Sequence, residues 1–305
     1  MPFVKTPDLN LHYETGGTGK DIFLLLHGNF ASWRWWLPVL KNMPSGFQAY
    51  APDLRGCGDS DRPEGGYTIA QHADDLDQLI QALGLPRLHL VGHSLGGCIA
   101  LEYALKLPKR IKTLTLVAPA PAEGKSVLKA AGHDGAYGGS TGIIHSAYRM
   151  SERWGTTRNV FRRSLGRMMR EDRIDGDFEA LVDDAVRMSW DAAAGHAESL
   201  SRWDVRKALG NLNVPVLMIG GQNDELIPIE ALKKVVRKIP QGRLILWPGM
   251  GHSPQLEYPH RFVQILTKFT GCHNGNTPRK MRKILCRLML ALAEARDHDP
   301  YLLCG

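Results

Sequence analysis

Gly92-His93-Ser94-Leu95-Gly96, with a further glycine at 97, stands between a short apolar run, Leu88–Val91, and a helix-period stretch, Leu95–Leu107. Strand, glycine-rich corner and helix in direct succession leave little choice of geometry. The serine has to project from a tight turn, and the glycines leave room for a strained backbone and for close packing of helix on strand. The helix that begins there aims the positive end of its dipole and its first free N–H groups at the spot where an oxyanion would form. Ser94 is therefore read as a nucleophile, in preference to a structural serine in a glycine turn.

The chain around this corner alternates in the same way. Leu9–Tyr13 reads as an early edge strand, Ile22–Leu26 as a strand covered on both faces, and Gln48–Ala51 as a short strand. Thr68–Leu83 places Ile69, Leu76, Leu79, Ile80 and Leu83 on one side of a helix, with Gly84 as its stop. Thr113–Val117, Val214–Ile219 and Leu244–Leu246 continue the strands, and Ile229–Lys238 and Pro259–Phe269 the helices. Strands alternating with helices predict a mostly parallel sheet with helices on its faces.

The rhythm breaks between about Pro121 and Lys207, where amphipathic, arginine-rich stretches replace strand signals and Gly135, Gly138, Gly139 and Gly142 loosen the first third. An insertion of this length between two sheet strands reads as a helical cap or lid; the alternative is an extra helical layer with no gating role. The expected division is residues 1–120 and 208–271 as the core, 121–207 as the cap, and 272–305 as an extension. Gly271–Asn276 reads as a linker. Beyond it Met281, Ile284, Leu285, Leu288, Met289 and Leu292 recur at helical spacing among Arg279, Lys280, Arg282, Lys283 and Arg287, a basic amphipathic helix. It would pack back on the core, dock a second copy or another partner, or touch an anionic membrane.

A serine hydroxyl is a poor nucleophile until a base takes its proton. Of twelve histidines, His252 fits best, because Gly249-Met250-Gly251-His252 follows the strand Leu244–Leu246 on a loop able to reach across the sheet edge. His93 is read as packing, and His27, His133, His145 and His196 as possible pocket lining. The base needs a carboxylate to set its tautomer. Asp224, just past Val214–Ile219, takes that role, with Glu225 as the alternative; Asp53 belongs to a turn with Arg55 and Gly56. The order Ser94, Asp224, His252 is itself informative.

With Leu26-His27-Gly28-Asn29-Phe30, Asp53-Leu54-Arg55-Gly56-Cys57-Gly58-Asp59-Ser60, Gly92 to Gly97, Asp224 with Pro228, and Gly251-His252, the chain resembles the capped α/β-hydrolase superfamily. The likeness is to the branch of epoxide hydrolases, haloalkane dehalogenases, C–C bond hydrolases and related esterases, from about Leu9 to Phe269 apart from the insertion. The resemblance implies an α/β-hydrolase fold, an eight-stranded sheet with helices on both faces and an inserted helical cap. It also implies an oxyanion hole made by the backbone N–H groups of Asn29 and Leu95. Epoxide hydrolases and dehalogenases attack carbon with an aspartate, so Ser94 disfavours both reactions. Many C–C hydrolases carry Asn where this chain has His93, which weakens that likeness.

The expected reaction is cleavage of a carboxylic ester, lactone or related acyl compound through an acyl-enzyme on Ser94. The same residues also serve C–C cleavage, acyl transfer or a lyase or cyclisation step, and a ligand-binding receptor on the same scaffold is the alternative from another class. Phe30, Trp33 and Trp36, close after the His-Gly pair, are expected to wall an apolar pocket, with Trp35 beside them; the bland reading of the tryptophans is core packing. The cap arginines from Arg149 to Arg173 read as a solvated helix face. No cofactor, metal or nucleic acid is implied.

With 305 residues, 43% hydrophobic and 23% charged, the chain has enough apolar material for a sizeable core. A net charge of +7 spread over this length reads as a solvated surface. Five cysteines without a CxxC pair, no basic-then-apolar start and no apolar run near ~20 residues lead to the expectation of a soluble, reduced, cytoplasmic protein.

Overall fold

The computed structural model describes residues 2–123, 155, 157–169, 174, 177–273 and 277–294. Its strands are β1 (Phe3–Lys5), β2 (Asn10–Gly17), β3 (Gly19–Leu26), β4 (Gly46–Pro52), β5 (Leu88–His93), β6 (Ile111–Val117), β7 (Val216–Gly221) and β8 (Gly242–Trp247). They form one eight-stranded sheet in the order β1-β2-β4-β3-β5-β6-β7-β8. β1 and β2 pair antiparallel, as do β2 and β4. Every later pairing is parallel.

The helices are α1 (Leu37–Lys41), α2 (Ile69–Ala82), α3 (Leu95–Lys106), α4 (Thr157–Met168), α5 (Phe178–Arg187), α6 (Trp190–Arg202), α7 (Ile229–Val236), α8 (Pro254–Glu257), α9 (Pro259–His273) and α10 (Arg279–Glu294). Parallel strands need crossovers, and these helices supply them while covering the sheet. β5 shows the result: all six residues of Leu88–His93 are buried. One apolar layer holds Leu76, Leu79 and Ile80 of α2 with Cys98, Ile99 and Leu101 of α3. The other holds Phe262, Ile265, Leu266 and Phe269 of α9 under Phe23, Leu25, Val91 and Leu217.

Local signals explain the boundaries. Thr68 caps α2, its Oγ1 accepting from the Gln71 N–H at 3.1 Å, a standard end for orphaned helix amides. The strand expected at Leu9–Tyr13 starts at Asn10 and lies second from the edge, because Phe3–Lys5 pairs outside it. The linker expected at Gly271–Asn276 begins later, since α9 runs to His273. The expected loosening glycines, Gly135 to Gly142, lie outside the described residues, as do His133 and His145.

Trp36 is a correction to the expected pocket wall. It is fully buried and packs on Phe262, with ring centroids 6.0 Å apart, in the layer under the sheet. The Trp33–Trp36 turn is 3-10 helical, and its tight winding carries Trp35 and Trp36 inward.

The insertion between β6 and β7 contributes α4, α5 and α6, whose Leu165, Phe178, Leu181 and Val182 share an apolar cluster with Ala31, Trp35 and Leu256 of the core. Its basic residues are partly paired within it: Arg158 meets Glu179 and Asp183, and Arg162 meets Glu179. Among the described residues no helix is long and apolar enough to cross a membrane. The extension forms α10, which packs on α9 with Met289 fully buried and Leu285 against Gly271. Met281, Ile284, Leu288 and Leu290 stay exposed.

Trp36→Ala should destabilise the protein by about 3–5 kcal/mol, as large-to-small changes at fully buried aromatics do. Denaturant unfolding measures this, and a loss below about 1 kcal/mol would contradict a core position.

Candidate active site

Ser94 immediately precedes α3, with φ 52° and ψ −116°, a conformation that costs an ordinary side chain about 1–3 kcal/mol. Neighbouring bonds hold it there. Its N–H donates to the Val117 carbonyl at 2.9 Å, and its own carbonyl accepts from Gly97 at 2.9 Å. The corner also demands bare backbone: a Cβ on Gly92 would stand 2.2 Å from the Gly96 carbonyl oxygen, and one on Gly96 would stand 2.4 Å from that of His27. Among the described residues the non-glycine positions at positive φ are Phe30, Ser94 and Ala118. They follow the carboxyl ends of β3, β5 and β6, so backbone strain gathers along one sheet edge.

His252 reaches this edge from the loop after β8. Its ring Nδ1–H donates to Asp224 Oδ2 at 2.9 Å, with both side chains buried. A carboxylate only accepts, so Nδ1 carries the proton and Nε2 holds the lone pair of the neutral ring. Nε2 is buried and has no hydrogen-bond partner, so the Ser94 hydroxyl is not bonded to it here. In unliganded sites such contacts are often longer than in the reacting complex. The other oxygen of Asp224 accepts from the Leu226 and Ile227 N–H groups at 2.8 and 3.0 Å. Burial pushes the Asp224 carboxyl up, but the facing His252 ring and these two amides outweigh it and hold the group below its usual 3.8. Its stabilising contribution is therefore complete above that value and is lost as pH falls through the depressed one. Glu225, the alternative acid, is exposed.

His93 packs, as expected, but it also positions. Its Nε2–H donates to the His252 carbonyl at 3.0 Å, its ring lies 4.8 Å from the His252 ring, and Trp35 stacks on it at 5.3 Å. Burial, and then the neighbouring His252 ring, hold its pKa well below the ordinary value, so it stays neutral. On the far side, the His252 N–H donates to the carbonyl of Met168, the last residue of α4, at 3.1 Å.

Leu95 is the first residue of α3, so its N–H has no carbonyl partner within the helix. Asn29 follows a loop that runs against the nucleophile corner, where a Cβ on Gly28 would lie 3.2 Å from the Ser94 Cβ. That loop is pinned by His27, whose Nδ1–H donates to the Gly28 carbonyl at 2.8 Å while Nε2 accepts from the Leu54 N–H at 3.0 Å. Phe30 is half-buried with its ring 5.1 Å from Phe161 of α4, between core and insertion. Trp33 packs instead on the layer of α9, beside His12 and under Arg34.

Among the described residues, His12, Asp53 and Asp59 are spaced for a metal. The Asp53 carboxylate is already engaged: His12 Nδ1–H donates to it at 2.7 Å, and so do the Trp33 and Asp59 N–H groups. The cluster ties the loops after β3 and β4 together.

Two further residues of the insertion reach the loop after β3: Asp184, which sequence reasoning passed over, and His196, which it read as possible pocket lining. Asp184 of α5, buried, accepts from the Ser32 hydroxyl and from Arg34 Nη1 at 3.0 Å. His196 of α6 bonds both Asn29 and His72. An acid on the buried side of an amphipathic helix carries no sequence signal of its partner, and nothing in the sequence tied His196 to Asn29.

The description "alpha/beta hydrolase fold" belongs to the family profile that matches residues 21–259. A 2-hydroxy-6-oxononadienedioate/2-hydroxy-6-oxononatrienedioate hydrolase of Paraburkholderia phymatum is 26% identical over 87% of this chain and 92% of its own. A pimeloyl-[acyl-carrier protein] methyl ester esterase of Nitrosomonas europaea is 27% identical, over 83% of this chain and 97% of its own. The structure of an esterase from Exiguobacterium antarcticum superposes with a TM-score of 0.73 at 23% identity, covering 88% of this chain and 98% of that one. Profile, sheet order and nucleophile corner agree, and the chain belongs to the α/β-hydrolase fold family.

Proposed function

We propose that the protein is a serine hydrolase that cleaves a carboxylic ester, lactone or related acyl compound through an acyl-enzyme on Ser94. The observation that carries this is the His252–Asp224 pair, with Nδ1 bonded to the carboxylate and a buried, unpartnered Nε2, at the edge where the strained Ser94 corner projects. Nε2 takes the hydroxyl proton as Ser94 attacks the carbonyl, then returns it to the leaving group. Water, deprotonated in its turn by His252, releases the acyl group. Asp224 fixes the tautomer and stabilises the imidazolium. The N–H groups of Asn29 and Leu95 hold the oxyanion, and each such donor contributes on the order of 3 kcal/mol to the transition state. The helices α4 to α6 act as the cap, and Phe30 with Phe161 forms apolar wall at its seam with the core.

C–C bond cleavage is the second reading, favoured by the relative named a 2-hydroxy-6-oxononadienedioate hydrolase, which matches at the same level as the methyl ester esterase. A panel of p-nitrophenyl esters and lactones, run beside a vinylogous 1,5-diketone acid, separates the two by product.

Ser94→Ala should lower turnover of any accepted substrate by on the order of 10⁶-fold and abolish labelling by a fluorophosphonate; retained turnover would exclude the mechanism. Asp224→Asn should lower kcat by on the order of 10⁴-fold, because an amide lets the ring settle with its proton on the wrong nitrogen. Steady-state kinetics read this, and a loss under tenfold would remove Asp224 from the role.

A further inference from the structure

The segment that carries the proposed oxyanion donor is held by the core and also gripped from the insertion. Phe30 sits at φ 55° with its ring on Phe161 of α4, and Ser32 and Arg34 bond Asp184 of α5. Asn29 is held by α6. Its Oδ1 is 3.0 Å from His196 Nδ1, and its Nδ2 is buried without a partner. The other nitrogen of His196, Nε2, lies 2.8 Å from His72 Nε2 of α2.

Proton bookkeeping settles this chain. An amide oxygen accepts, so His196 Nδ1 carries the hydrogen. Burial holds the pKa of His196 down at about 3, and burial with the His196 ring holds that of His72 well below its ordinary value, so both rings are neutral. His196 Nε2 is then a lone pair, and His72 Nε2–H donates to it. With the Asn29 oxygen facing His196, the relay runs from a core helix, through an insertion histidine, to the carboxamide of Asn29.

We infer that His196 is a positioning residue: bonded to His72, it holds Asn29 so that its backbone N–H points at the oxyanion formed on Ser94. The cap thereby completes the oxyanion hole as well as covering the site. This rests on the serine-hydrolase reading above. A donor misplaced by about 1 Å costs on the order of 10²-fold in rate, while ground-state binding through the apolar wall is little changed.

The test exploits the shapes of two amides. An Asn side chain can put its nitrogen, a donor, where the His Nδ1–H was, and a Gln side chain can put its amide oxygen, an acceptor, where the Nε2 lone pair was. His196→Asn should keep the bond to Asn29 and hold kcat within about threefold of the parent. His196→Gln should keep the bond to His72 but lose the one to Asn29, lowering kcat by about 10–100-fold with KM within about threefold. Thermal midpoints are recorded for both variants. Equal kcat for the two variants, or a loss in KM alone, would overturn the inference, as would losses in both that only track their midpoints. Ser94→Ala in the same assay keeps the outcomes apart: if it is inactive while His196→Gln is fully active, only the positioning role fails. If Ser94→Ala is active, the hydrolase reading beneath it fails.

Discussion

The peptide groups on either side of the His252 Cα are bonded in opposite directions. The N–H goes to the Met168 carbonyl at the end of an insertion helix, and the carbonyl receives the His93 ring from the nucleophile corner. The loop Gly249-Met250-Gly251 is anchored by the buried Met250, whose carbonyl accepts from the Asn223 N–H, and these bonds add a hold on each side of His252. With them, the ring is anchored between its neighbours and needs only Asp224 to fix its rotation. Core, corner and insertion meet at one residue, and the geometry of the site depends on it.

The same economy explains why so many histidines are buried here. His27, His72, His93 and His196 are all held below their ordinary pKa by burial, so each works as a neutral ring with a defined donor and acceptor. A neutral imidazole joins two distant backbones or side chains without the desolvation cost of a charge. The buried charges, by contrast, are closely paired: Asp184 with Arg34 and Ser32, and Arg55 in a two-pronged bond to Asp75 at 2.7 and 2.8 Å. Removing one member of such a pair leaves an uncompensated charge in the interior. These pairs tie the loop after β3 to α5 and the loop after β4 to α2.

Much of the sheet was legible because a strand covered on both faces has to be continuously apolar. Ile22–Leu26 and Leu88–Val91 show that pattern without ambiguity. The exposed ends were less clear. β2 reaches Gly17 and β8 reaches back to Gly242, where polar and glycine residues carry no periodic signal and only the pairing with a neighbour defines a strand. Trp36 was misjudged for a related reason. Its position after His27-Gly28 places it near the site in sequence, but a single tight turn rotates it into the layer beneath the sheet.

Ser94, Asp224 and His252 could be chosen from the chain alone because each follows a strand of a parallel sheet, and the carboxyl ends of such strands lie along one edge. That is a property of local order, and the sequence encodes it directly. The 2.9 Å bond between Asp224 and His252, the burial of its free nitrogen, and the grip of α4, α5 and α6 on residues 29–34 belong to the tertiary structure only. They join positions up to 167 residues apart, and no spacing rule relates an insertion helix to the loop it touches; only the packing of its apolar face decides that.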